Sequence, residues 1–153
     1  MTGKIPEGFH TVTPYLTIKD AAKAIELYKQ AFGAVEGETM RGPDGKIGHA
    51  CLTIGDSKVF LADENPKMGT VAPPEKGSNV NFYLYVEDAD AAQKKAIAAG
   101  MKEAMPVKEM FWGDRLGAVT DPFGYKWNLA TQVREMTEEE VREAAKKAFN
   151  QAA

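Results

Sequence analysis

The sequence predicts an α+β fold built from two βαβββ repeats and closed by a C-terminal helix. Three observations predict it. Two weakly similar halves are offset by 68 residues: Tyr15 to Ala21 aligns with Tyr83 to Ala89, and Lys58 to Ala62 aligns with Lys126 to Ala130. Each half pairs one stretch of helical period with several stretches of period two. A Pro- and Gly-rich segment separates the halves. Two copies of a unit too small to bury its own apolar face must pack against each other, and the groove between them is the expected ligand site. Because the offset is the same at both ends, the stretch between is expected to be nearly equal in length in each half.

The first repeat runs from about residue 10 to 64. Thr11 to Ile18 is β-branched and alternating, so it reads as a strand, with Pro14 marking an edge or a bulge. Asp20 caps a helix because its carboxylate can accept from free backbone N–H groups. Ala21, Ala24, Ile25, Tyr28 and Phe32 form its apolar stripe, and Gly33 ends it. Val35 to Met40 is a strand, and Gly42-Pro43-Asp44-Gly45 turns it into the next, Lys46 to Ile54. Gly55-Asp56 turns again into Ser57 to Ala62.

Residues 65–78 form the linker, long enough to cover a pocket. The second repeat, about 79–131, repeats the order. Asn79 to Val86 is a strand, Asp88 caps a helix that Gly100 ends, and Glu103 to Val107 is a short strand. Lys108 to Gly113 is a loop, Asp114 to Thr120 a strand, Asp121-Pro122-Phe123-Gly124 a turn, and Tyr125 to Ala130 the last strand. A helix follows over about 137–150, opened by a capping box of Thr137 and Glu140. Its stripe of Val141, Ala144, Ala145, Ala148 and Phe149 packs on the body or on a partner subunit.

Composition excludes several classes. A net charge of −3 with scattered basic residues gives no nucleic-acid footprint. No apolar run is long enough for a membrane span, and Met1 to Phe9 has no apolar core of a secretory signal. One cysteine, Cys51, rules out an internal disulfide and fits a reducing compartment. A cytoplasmic protein is the expectation. Cys51 itself reads as an ordinary thiol, since no Lys or Arg is expected beside it.

The two βαβββ units, with Val86-Glu87-Asp88 before the second helix and Asp121-Pro122-Phe123-Gly124 before the last strand, resemble the vicinal oxygen chelate superfamily. That group includes glyoxalase I, extradiol dioxygenases, and fosfomycin- and bleomycin-resistance proteins. Val12-Thr13-Pro14-Tyr15-Leu16, Gly42-Pro43-Asp44-Gly45-Lys46, Leu61-Ala62-Asp63-Glu64 and Trp112-Gly113-Asp114-Arg115 look most like its PhnB-like branch. The resemblance implies that each unit curls into a half-barrel sheet and that the paired sheets frame a shared cavity. It also implies where a divalent metal would sit: on the first and last strands of each unit, here Thr13, Phe60, Asn81 and Asn128. Phe cannot ligate, and Thr and Asn are weak neutral donors. No metal and no other cofactor is therefore expected.

Strand alternation places Tyr15, Tyr83, Tyr85 and Asn81 in the cavity, with His49 and Cys51 from the third strand and Arg115 from the matching strand of the second unit. Gly117 is taken as the repeat equivalent of His49. Phe60, Lys126 and Asn128 close the floor. The ligand-binding set is thus Tyr15, Phe60, Asn81, Tyr83, Tyr85, Trp112, Arg115 and Asn128, with Trp112 stacking on a flat ligand and Arg115 gripping an anion. His49, with Asp114 and Arg115, is the candidate catalytic group because its pKa lies near working pH. The favoured reading is a metal-independent binder of an aromatic or anionic small molecule. The alternatives are a metal-dependent lyase or isomerase and a cofactor-free His-based enzyme, so the sequence leaves turnover open. A homodimer is expected, with neither nucleic acid nor membrane as partner.

Overall fold

The computed structural model describes residues 3–152; Met1 and Thr2, the start of the segment read for a signal, and Ala153 lie outside them. The first unit comprises β1 (Tyr15–Ile18), α1 (Ala21–Phe32), β2 (Val35–Arg41), β3 (Ile47–Ile54) and β4 (Ser57–Asp63). The second comprises β5 (Phe82–Tyr85), α2 (Ala89–Ala99), β6 (Lys102–Glu109), β7 (Asp114–Thr120) and β8 (Lys126–Gln132). A 3-10 turn, Pro66–Met68, lies in the linker, and α3 (Glu138–Ala152) ends the chain. The strands form two separate four-stranded sheets, ordered β1-β4-β3-β2 and β5-β8-β7-β6. The fold is the expected α+β pair of βαβββ units. β1 pairs only with β4 and β5 only with β8, both in parallel, so each sheet keeps a free edge.

Several strand ends differ from expectation, among them the start of β5, at Phe82 rather than Asn79, and the end of β8, at Gln132 rather than Ala130. Thr11 to Pro14 is not in β1, although Phe60 N–H still donates to the Pro14 carbonyl (2.9 Å). β6 continues to Glu109, through residues read as loop, because Lys108 and Glu109 find partners in Leu116 and Arg115.

The helix starts are built alike. Asp20 and Asp88 accept from Lys23 and Ala91 N–H (3.2 and 3.0 Å). A residue at the end of each unit's last strand adds a second cap: Ala21 N–H donates to Asp63 Oδ1 (3.0 Å) and Ala89 N–H to Thr131 Oγ1 (2.9 Å). Both helices end at a glycine in the left-handed region, Gly33 and Gly100. The Thr137–Glu140 capping box closes in both directions (2.8 and 3.2 Å).

One core joins the units. Leu16 and Ile18 of β1 and Leu61 of β4 meet Trp127 and Leu129 of β8 around α1. Tyr28 of α1 lies 5.1 Å from Trp127, and Phe82 stacks on Trp127 at 4.5 Å. The Asp121 carboxylate is the polar centre of this joint. It accepts from Tyr28 Oη (2.6 Å), Trp127 Nε1 (2.9 Å), Phe123 N (2.9 Å) and Tyr125 N (3.0 Å), while Tyr125 Oη donates to the Thr17 carbonyl (3.0 Å). Burial and the adjacent Asp121 push the Tyr28 phenol well up.

Candidate functional site

Alternation on β5 sends Phe82 and Leu84 into the core and leaves Tyr83 and Tyr85 exposed on the opposite face. On that face Asp114 opens β7 and is 3% exposed. Its Oδ2 accepts from Tyr83 Oη (2.6 Å), Tyr85 Oη (3.2 Å) and Trp112 Nε1 (3.1 Å). The two tyrosine rings are 5.4 Å apart, and Phe111 stands edge-on to Trp112 at 4.9 Å. Gly113 makes the tight turn before Asp114. It has φ +99°, and a Cβ there would collide with the Arg134 carbonyl oxygen. Desolvation, then donation to Asp114, pushes the Tyr83 phenol up to about 12. It therefore stays a proton donor across the physiological range.

The matching face of the first sheet carries a different cluster. The Tyr15 hydroxyl and His49 Nδ1 are hydrogen-bonded at 2.8 Å. Phe60 stands edge-on to both rings, at 5.5 and 4.7 Å, and Phe9 covers Phe60 at 5.7 Å. Burial raises the Tyr15 phenol. Cys51, a free thiol, is paired with Phe60 across β3 and β4.

Arg115 is not on the open face. It points to α2 and forms a forked pair with Asp90, Nε to Oδ2 at 2.6 Å and Nη2 to Oδ1 at 3.0 Å, which holds the Asp90 carboxyl below its ordinary value. Gly117 shares that side, since a Cβ there would collide with Gln93 of α2. The expectation failed through a slip of one residue. Phe60 pairs with Cys51, and its equivalent Asn128 pairs with Ala118. Cys51 therefore corresponds to Ala118, and His49 to Leu116 rather than Gly117. α1 has 12 residues where α2 has 11, so the first unit gains one residue between Asp20 and Gly33 relative to Asp88 and Gly100, and the offset is already 67 at the start of β2. The second unit recovers that residue in its β7–β8 turn. The two insertions cancel, so the offset is unchanged at both ends and wrong between them.

A cavity of about 740 Å³ lies between the units, within the range of small-molecule pockets. Val12 and Pro14, Phe32 of α1 and the Ile54–Val59 hairpin line one side; Phe82 to Val86 and Trp127 line the other, with Lys58 and Lys95 as cations in the lining. Of the expected ligand-binding residues, Tyr83 and Tyr85 line it. Tyr15 lines a second hollow of about 930 Å³, on the first sheet beneath the linker. Phe60, Asn81, Trp112, Arg115 and Asn128 line neither. The cavity residues that the sequence did not single out, Val12, Phe32 and Phe82, had only an apolar signal, which does not distinguish a cavity wall from a core. His49, Asp114 and Arg115 are not brought together: no hydrogen bond, ion pair or aromatic contact joins His49 to either of the others among the described residues.

The four positions where the fold would place a divalent metal do not fit one. Asn128 Nδ2 donates to Asn81 Oδ1 (2.7 Å) and to the Phe82 carbonyl (2.9 Å), so the two amides are engaged with each other. Phe60 is packed among rings, and Thr13 lines the intermodule cavity. Among the described residues no three His, Cys, Asp or Glu side chains converge. Among the described residues no helix is long and apolar enough to cross a membrane.

The sequence model of the Glyoxalase/Bleomycin resistance protein/Dioxygenase superfamily matches residues 8–129. An uncharacterized Mycobacterium tuberculosis protein, Rv0887c, is 41% identical over 137 residues, covering 87% of this chain and 81% of that one. The crystal structure of the Arabidopsis thaliana protein At5g48480 superposes with a TM-score of 0.67 at 30% identity, covering 80% of this chain and 98% of that one. A PhnB protein from Bacillus cereus, described as a putative 3-demethylubiquinone-9 3-methyltransferase, shares the fold with a TM-score of 0.61 at 17% identity, covering 80% and 99%.

Proposed function

Starting from the fact that the chain belongs to the Glyoxalase/Bleomycin resistance protein/Dioxygenase superfamily, we propose that it is a metal-independent small-molecule binding protein whose ligand lies in the cavity between the two units. The observation that carries this reading is the lining of that cavity. Aromatic and aliphatic residues from both units line a volume of about 740 Å³, with polar groups from His10, Thr13, Asp56, Ser57, Lys58 and Lys95 among them, the make-up of a binding pocket. The engaged amides of Asn81 and Asn128 support metal independence. A ligand-observed NMR screen of small aromatic compounds tests the reading, with Val12→Trp as the control. Val12 is 80% exposed yet lines the cavity, so tryptophan there fills the space without disturbing the core. Binders are expected in the wild type and lost in Val12→Trp. Binders indifferent to that substitution, or no binders at all, would sink the proposal. Calorimetry of chelator-treated protein with zinc, nickel, manganese and ferrous ions should show nothing tighter than about 0.1 mM, roughly −5.5 kcal/mol.

A homodimer is part of the proposal. The β1 and β5 edges are free, and α3 has no fully buried residue, with Phe149 69% exposed. A second copy would cover these surfaces. Sedimentation equilibrium giving a monomer at micromolar concentration would refute it. The single cysteine, Cys51, is the basis for proposing a cytoplasmic location.

A further inference from the structure

The Asp114 carboxylate is half used. Its Oδ2 receives all three aromatic donors, while Oδ1 has no hydrogen-bond partner among the described residues. Nor is Oδ1 sealed, since among the described residues no fully buried side-chain oxygen or nitrogen lacks a partner. None of the ion pairs among the described residues involves Asp114. A side chain 97% removed from solvent thus has no cation paired with it, and a desolvated carboxylate favours a charged N–H donor over any neutral one. Around it stand Tyr83, Tyr85 and Trp112, each aiming its O–H or N–H at the other carboxylate oxygen. Tyr83 and Tyr85 also line the intermodule cavity, whereas Asp114 and Trp112 do not.

We propose that Asp114 Oδ1, framed by Tyr83, Tyr85 and Trp112, is the recognition point for an ammonium or amidinium group of the ligand. This rests on the small-molecule-binding reading above and replaces the anionic ligand expected from Arg115, whose guanidinium is held by Asp90 on the other face of the sheet. The two halves of the chemistry are separable. The cationic end would donate to Oδ1, and Tyr83 and Tyr85, common to the cavity lining and the Asp114 cluster, would carry the apolar part.

The test compares benzylammonium with benzyl alcohol, a neutral molecule of nearly the same shape, by following the Trp112 indole N–H in NMR titrations. The wild type is expected to bind benzylammonium at least about tenfold more tightly. Asp114→Asn should bring that ratio to about one. Tyr83→Phe keeps the ring and frees an acceptor site on the carboxylate, so the ratio should rise about twofold or more. That increase has no counterpart if Asp114 merely organises the loop, and it does not depend on Asp114→Asn folding. Equal affinity for the two probes in the wild type overturns the inference and leaves the binding function standing. A ratio that persists in Asp114→Asn or fails to rise in Tyr83→Phe also overturns it. Binding of neither probe overturns it as well, and together with an empty aromatic screen it removes the binding function too.

Discussion

The first unit closes β3 into β4 with the two residues Gly55 and Asp56, both exposed; the second closes β7 into β8 with Pro122, Phe123 and Gly124 between Asp121 and Tyr125. That one extra residue changes what the turn does. The first turn only reverses the chain. The second carries Asp121 into the joint, where it collects donors from α1 of the other unit and from its own loop. A duplicated unit has therefore not kept duplicated duties: one copy fastens the pair, and the other is the surface that is fastened. The open faces diverge in the same way. Tyr15 meets a histidine where its equivalent Tyr83 meets a carboxylate.

The largest expected effect comes from breaking the joint. Asp121→Ala leaves four buried or half-buried donors without an acceptor and should cost about 3–5 kcal/mol in urea unfolding. Asp56→Ala, in the first unit's turn, should be close to neutral. If the two losses were equal, the asymmetry would be refuted. Next comes the packing of α2 on its sheet. Position 117 is glycine where the first unit has the buried Ala50, because Gln93 and Val107 occupy the space of a Cβ. Gly117→Ala should destabilise by about 1–3 kcal/mol, and a combined Gly117→Ala/Gln93→Ala variant should recover part of the loss.

The helix caps offer a smaller contrast. Asp63 serves both Ala21 N–H and Ile47 N–H, whereas Thr131 serves Ala89 N–H and donates back to the Val86 carbonyl. Loss of Asp63 to alanine should cost about 1–2 kcal/mol and loss of Thr131 about 1 kcal/mol or less. Thermal melts that reversed this order would contradict the charge-assisted role of Asp63.

The repeat-equivalent tyrosines sharpen the comparison by titration. Tyr83 is raised to about 12 and donates to an anion, while Tyr15 is raised by burial alone. A phenol whose folded pKa lies above its unfolded value of about 10 contributes stability that is complete below pH 10. That stability is lost as pH climbs through the folded value. Ultraviolet titration of Tyr83→Phe and Tyr15→Phe should show that Tyr83 ionises later, and stability should fall between pH 10 and about 12. A Tyr83 that ionised with Tyr15 would mean its hydroxyl is not held by Asp114. The smallest effect is expected at Arg115. Its pair with Asp90 is two-fifths exposed on both sides, and its removal should leave ligand affinity unchanged. A loss of affinity in Arg115→Ala would put the guanidinium back in the site.

Much of this was written in local order. Asp20, Asp88, Gly33 and Gly100 mark helix ends because capping acts over a few residues. Leu16, Ile18 and Leu84 point inward because a strand has only two faces and the apolar one must be buried. Even the doubling of the unit is legible, since equivalent strands keep similar residues. The face of β7 was not legible. A longer α1 and a longer turn at Pro122 shift the register in opposite senses, and two cancelling shifts leave no trace in an end-to-end alignment. Side-chain period two then turned that single residue into the wrong face for Arg115. The convergence of Tyr83, Tyr85 and Trp112 on Asp114, and of Tyr28 and Trp127 on Asp121, was likewise decided in three dimensions. Such pairings depend on which strand edges and helix faces meet across tens of residues, and no local propensity encodes that distance.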